Sequence, residues 1–194
     1  VGDASRLPLL PLRILDNEER LWAPWRLGYI KGTEQAEPPP TPTDWAAGAE
    51  PRCFLCRAAA TYDDPAADQR LLIAGRNEQV VTVLNRYPYS NCHVLVSPRR
   101  HVAHLTDLTD DEHLAAMRTL STLTQELTER IGAQGFNIGL NLGGIAGAGV
   151  PGHLHWHLVP RWPGDHNFMP TLAGVRVIPQ SLEAAWELVR EALK

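Results

Sequence analysis

Three histidines stand at alternate positions of an apolar run, His153-Leu154-His155-Trp156-His157-Leu158-Val159-Pro160. In a β-strand successive side chains point to opposite faces. The spacing therefore predicts that His153, His155 and His157 share one face while Leu154, Trp156 and Leu158 share the other. The first face would carry chemistry and the second would join the core. Near neutral pH an imidazole can be nucleophile, proton carrier or metal ligand, and three on one surface would have to divide those roles. A histidine-rich metal patch is the competing reading.

Other residue types point the same way with less force. Cys53-Phe54-Leu55-Cys56 has metal-ligand spacing, but a closed tetrahedron needs two more ligands, so the pair reads equally as two buried thiols. Gly147-Ala148-Gly149-Val150 precedes the histidines. Glycines there would let backbone N–H groups approach anionic oxygens closely, although turns also use glycine for conformation alone. Asn85, just ahead of Tyr87-Pro88, can donate and accept as a diol requires, or can simply serve the turn. Tyr87 and Leu84 could flank a base. Trp162 and the run from Asp165 to Met169 follow the histidines closely enough to close over them, and Trp162 reads equally as core. Cys92 reads as a thiol without a role.

These residues need elements to hold them. Leu71-Leu72-Ile73-Ala74 and Val80 to Leu84 are short aliphatic runs separated by Gly75-Arg76-Asn77-Glu78, a hairpin signal. His93 to Ser97 reads as a third strand closed by Pro98, and Gly135 to Leu142 alternates as a fourth. Thr109-Asp110-Asp111-Glu112 fits a capping box. Leu114, Met117, Leu120, Leu123, Leu127 and Ile131 follow at helical steps until Gly132, so the longest helix is expected over 109–132. Ser181 is placed to cap a last helix carrying Leu182, Ala185, Trp186, Val189 and Leu193. Hairpin-joined strands with helices gathered outside them indicate an α+β fold with an antiparallel sheet.

Residues 1–52 read as an arm and connector. Val1 to Arg20 lacks a clean period, and Leu21 to Ile30, with Trp22 and Trp25, is aromatic enough to pack on the domain or on a second subunit. Lys31 to Pro51 contains Pro38-Pro39-Pro40 and must be non-helical. With 194 residues, 44% hydrophobic and 21% charged, the chain fits one globular domain with trimmings. A net charge of −4 provides no global attraction to nucleic acid. No apolar stretch approaches the ~18 residues of a membrane span, which makes a cytoplasmic address the default expectation. Three Cys, an odd number, do not make a disulfide framework.

The pattern His-apolar-His-apolar-His-apolar-apolar resembles the histidine triad (HIT) family of nucleotide hydrolases and transferases. Asn85 to Tyr89 and His93-Val94-Leu95-Val96-Ser97-Pro98-Arg99-Arg100-His101 resemble its nucleoside-binding segment. The stretch Pro160-Arg161-Trp162-Pro163-Gly164-Asp165-His166-Asn167-Phe168-Met169-Pro170 is similar to the bacterial branch that includes diadenosine tetraphosphate phosphorylases. The resemblance spans about 53–170, with 171–194 a helical extension, and implies a HIT-like antiparallel sheet with a long helix packed on it.

It further implies that His155 is the nucleophile that attacks an α-phosphorus, that His157 shares in handling the phosphate, and that Asn141 contacts the phosphate or leaving group. Asn85 would hold the ribose, the amides of Gly147, Ala148 and Gly149 would meet phosphate oxygens, and Arg161 and Trp162 would set specificity, Arg161 as a donor to incoming inorganic phosphate. Gly149 and Val150 depart from relatives that carry side-chain donors there. A structural zinc would be held by Cys53, Cys56, His101 and His153, with His104 the alternative third ligand. The implied substrate is an adenine nucleotide or dinucleoside polyphosphate, the implied assembly a homodimer, and no nucleic acid or membrane is implied. A nucleotide or phosphoramidate hydrolase is the near alternative. A zinc-stabilised binding module is the alternative of a different class, and such a module would release no product from a labelled dinucleoside polyphosphate.

Overall fold

A computed structural model describes residues 39–165 and 178–194, which all belong to one compact unit, 35–194. The expectations for the arm, for Trp22 and Trp25, and for the tail from His166 to Pro170 lie outside the described residues. Five strands form one antiparallel sheet in the order β1-β2-β3-β5-β4. They are β1 (Ile73–Arg76), β2 (Val80–Leu84), β3 (Val94–Pro98), β4 (Gly135–Leu140) and β5 (Trp156–Arg161). The α+β expectation holds. The first hairpin is shifted, because Leu72 takes a left-handed φ of 58° and β1 therefore starts two residues late and runs on to Arg76. A bulge between Ile73 and Gly75 restores its pairing with β2.

Helix α3 (Asp110–Ile131) begins with a complete capping box: Glu112 N–H donates to the Thr109 hydroxyl, and Thr109 N–H donates to the Glu112 carboxylate. It ends on Gly132 at φ 61°, a conformation that glycine adopts without a Cβ penalty. Ala116, Leu120, Leu123 and Leu127 are buried against the sheet. Leu114 and Met117, expected in the same stripe, are instead 48% and 45% exposed. Their steps of three and four residues fit the helical period but fall on the outer side of it. Helix α4 (Leu182–Glu191) is capped by Ser181. It lies on β1 and β2, and its Trp186 indole N–H donates to the Ile73 carbonyl at 2.8 Å. Two further helices, α1 (Phe54–Ala59) and α2 (Ala67–Arg70), precede β1. No helix among the described residues is long and apolar enough to cross a membrane.

The start of α3 also carries a charge pair. Arg100 grips the nearly buried Glu112 carboxylate with both nitrogens at 2.7 Å, and this grip holds the carboxyl below its ordinary value of 4.5. Because the folded-state pKa is depressed, the pair stabilises the fold above pH ~4.5 and loses that contribution as pH falls through the folded value. Thr109→Ala, which removes the neighbouring cap, is expected to cost about 1 kcal/mol and to lower Tm by about 2–4 °C in thermal unfolding at pH 7.

Candidate functional site

Strand β5 begins at Trp156, so His153 and His155 precede the paired strand and only His157 lies within it. The alternation expected from the sequence holds for Leu154, Trp156 and Leu158, which are buried. The opposite face is also enclosed: His153 is wholly buried and His155 is 6% exposed. The three imidazoles do different things because each ring has a different backbone or side-chain partner.

His153 points back into a cluster. Its Nδ1 lies 3.4 Å from both Cys53 Sγ and Cys56 Sγ, and Cys56 Sγ lies 3.2 Å from His101 Nδ1. The four ligand atoms fall within 4.8 Å of one another. Donor separations near 3.4 Å suit a tetrahedron whose metal–ligand distances are ~2.0–2.3 Å. His153 Nε2 donates to the Pro98 carbonyl at 2.9 Å, which leaves Nδ1 as the lone-pair nitrogen facing the thiols. Cys53 sits at the N-cap of α1 and Cys56 in its first turn, and Glu50 N–H donates to Cys56 Sγ at 3.4 Å. The hydrogen bond with Cys56, aided by His153, holds the Cys53 thiol below its ordinary value. A lowered thiol pKa favours the thiolate, the form that binds metal. The cluster can hold a metal ion. His104 lies outside it, at the start of a 3-10 turn (Leu105–Asp107).

His155 Nδ1 donates to the carbonyl of His153 at 2.8 Å, so its lone pair is on Nε2. His157 is set from the other side. Tyr89 N–H and the Asn85 amide both donate to His93 Nδ1, at 3.1 and 3.2 Å, so neutral His93 carries its proton on Nε2 and donates it to His157 Nδ1 at 2.9 Å. His157 therefore carries its own proton on Nε2, a buried atom with no hydrogen-bond partner among the described residues. Burial pushes both imidazoles below their ordinary value of 6.5 and, for His157, the neighbouring His155 adds to the shift. Near pH 7 the pair is neutral, with a lone pair on one ring and a donor N–H on the other.

The remaining residues divide. Asn85 does serve the turn, since its Oδ1 accepts from Tyr87 N–H at 3.0 Å, and its amide also holds His93. Tyr87 is 43% exposed. Asn141 follows the Leu140–Trp156 pair by one residue, at the level of His155. In the glycine-rich loop, Ala146, Gly147 and Ala148 amides donate to Gly143 or Gly144 carbonyls at 3.0–3.3 Å. Of 147–149, only Gly149 has no backbone acceptor among the described residues. Arg161 grips Asp165 through Nε and Nη2, while its Nη1 donates to Asn137 at 2.7 Å. The Trp162 indole donates to the Ile131 carbonyl at 3.0 Å, anchoring it to the end of α3. Sequence reasoning gave no role to His93 or Tyr89. The available signal was a histidine opening an otherwise apolar strand, eight residues after Asn85.

A HIT domain model matches residues 68–164. The chain is 38% identical over 167 residues to an AP-4-A phosphorylase of Mycobacterium tuberculosis, covering 86% of this chain and 80% of that protein. It is 34% identical over 90 residues to an asymmetrical bis(5'-nucleosyl)-tetraphosphatase of Schizosaccharomyces pombe, covering 46% and 49%. A Zn-bound histidine triad family protein of Mycobacterium smegmatis superimposes with a TM-score of 0.52 at 28% identity, over 63% of this chain and 83% of that one.

Proposed function

Because the chain belongs to the HIT family, we propose that it transfers a nucleotidyl group from a dinucleoside polyphosphate, through a covalent nucleotidyl-histidine on His155, to inorganic phosphate. The observation that carries the reading is the set of hydrogen bonds that fixes the two tautomers. The backbone bond from Nδ1 leaves His155 Nε2 with the lone pair needed to attack an α-phosphorus, and His157 beside it carries an Nε2–H with no partner among the described residues. A P–N bond forms as the bond to the leaving polyphosphate oxygen breaks, and the His157 proton stabilises that oxygen. The acceptor oxygen then attacks the same phosphorus and frees His155. Asn141 and the Gly149 amide are the nearby donors suited to the equatorial oxygens, and Asn85 and Tyr87 are assigned to the nucleoside.

The same proposal includes zinc as the ion of the Cys53, Cys56, His101 and His153 cluster, a choice supported by the two-thiol, two-imidazole donor set. Such a closed set would give zinc a structural role, tying α1 to the segment that opens β5. Residues 53–170 are the proposed catalytic domain, with 171–194 its extension and a cytoplasmic address. The identity to the phosphorylase over most of both chains favours phosphate as acceptor. One observation favours water instead: the Arg161 guanidinium is already engaged by Asp165 and Asn137, so it is not a ready donor to an entering anion. With diadenosine tetraphosphate and saturating phosphate the expected products are ADP and ATP, separated by ion-pair chromatography. AMP and ATP, with no ADP, would make the enzyme a hydrolase.

A homodimer belongs to the same reading. β4 is the last strand of the described sheet, Ile138 on it is 46% exposed, and Leu114 and Met117 lie open on α3. Light scattering is expected to return about twice the chain mass of 21.5 kDa, and a monomer at micromolar concentration would remove this part of the proposal.

A further inference from the structure

The turn that presents His93 is held from outside the catalytic segment. Gln180, directly before the cap of α4, accepts a hydrogen bond from Asn91 Nδ2 at 2.6 Å, and the Cys92 thiol approaches the same Oε1 at 3.8 Å. Asn91 and Cys92 are buried, at 8% and 2% exposure. Cys92 holds a left-handed φ of 54°, a conformation that costs energy for a residue with a Cβ and persists only where its neighbours enforce it. His93 follows immediately. Its ring works only while Tyr89 N–H and the Asn85 amide reach Nδ1, because those two donors decide which nitrogen holds the proton. Gln180 itself is moored, since Ser181 caps α4 and Trp186 is bonded to Ile73.

We propose that Gln180 is a positioning residue for the histidines of the site: by anchoring Asn91 and Cys92 it keeps His93 as the Nε2–H tautomer and so keeps the proton of His157 on Nε2, the nitrogen to which the proposed function assigns the leaving oxygen. The inference rests on the roles given above to His155 and His157. Without the anchor the peptide at Cys92 is free to leave its left-handed conformation, His93 loses its registration on Tyr89 N–H, and the His93–His157 pair samples both proton arrangements. In the intact fold the residue ahead of the α4 cap thereby acts on catalysis through one side-chain amide oxygen, with no contact to the substrate.

The test uses the full-length chain labelled with 15N-histidine and three variants. Gln180→Met keeps the side-chain length and removes the acceptor, Gln180→Ala removes both, and Gln180→Glu keeps an acceptor for Asn91 Nδ2. In the wild type the 15N shifts should show His93 and His157 as Nε2–H tautomers at pH 7.5. Gln180→Met and Gln180→Ala should move both toward tautomer averaging, with kcat on diadenosine tetraphosphate lowered about tenfold and KM within about twofold. Gln180→Glu should restore both readouts. If the Met variant shows the wild-type 15N pattern, or if Glu fails to restore a folded protein's pattern, the proposal is overturned. The tautomer readout does not require turnover, so a wild type with the expected shifts but no activity on this substrate would overturn the proposed function and leave the positioning role standing.

Discussion

His155→Ala is expected to lower kcat/KM by roughly four orders of magnitude or more, the largest loss of any single substitution in the site. A covalent nucleophile has no substitute within reach: the ring of His153 is turned to the thiols with its Nε2 bonded to Pro98, and His157 holds its lone pair on Nδ1 against His93. What remains is the binding and electrostatic part of catalysis. His157→Ala removes a proton donor and leaves the nucleophile in place, so a smaller loss of about 10²-fold is expected. His155 is buried, and its removal leaves a small cavity, so the variant should also melt a few degrees below the wild type. Intact-mass detection of a nucleotidyl adduct after rapid quench, present in the wild type and absent in His155→Ala, ties the loss to the covalent step. Near-normal turnover in a folded His155→Ala protein would move the nucleophile elsewhere.

Cys56→Ser is expected to bring metal content from about one ion per chain to well below half and to lower Tm by roughly 10 °C or more, because metal binding free energy at a structural site is folding free energy. Cys56 touches His101 and His153 at once, so its loss opens the cluster on two sides. Elemental analysis and calorimetry check the two numbers, and chelation of the wild type should reproduce the fall in Tm. Equal metal in variant and wild type would remove Cys56 from the ligand set.

What could be read from the sequence follows the range of the interactions that fix each feature. The long helix is legible to the residue because Thr109, Glu112 and Gly132 act within a turn of its ends. The strands are legible as aliphatic or alternating runs, but β1 is displaced because the conformation at Leu72 is imposed by its surroundings. Helix α1 is missed: six residues with cysteines at its start and alanines at its end carry no amphipathic period. In the site, CxxC and the alternating histidines are local patterns. The relay from Tyr89 and Asn85 through His93 to His157 is not, since it depends on β3 and β5 being neighbours, with Leu95 opposite His157, across 64 residues of chain. Leu114 and Met117 fit the helical period as well as Leu120 does, and only the tertiary packing tells the two sides apart.

His153 meets the Cys2His2 cluster through its side chain and His155 through its main-chain carbonyl, and those are chemically separable attachments. Exchanging the imidazole for another ligating group would change which ion the cluster prefers and how tightly, yet every amino acid supplies the same carbonyl to the proposed nucleophile. On the proposed roles, position 153 is thus a point at which mutagenesis would rewrite the metal preference of the cluster and leave the proton on His155 Nδ1 alone, provided the path of the backbone at that residue is preserved.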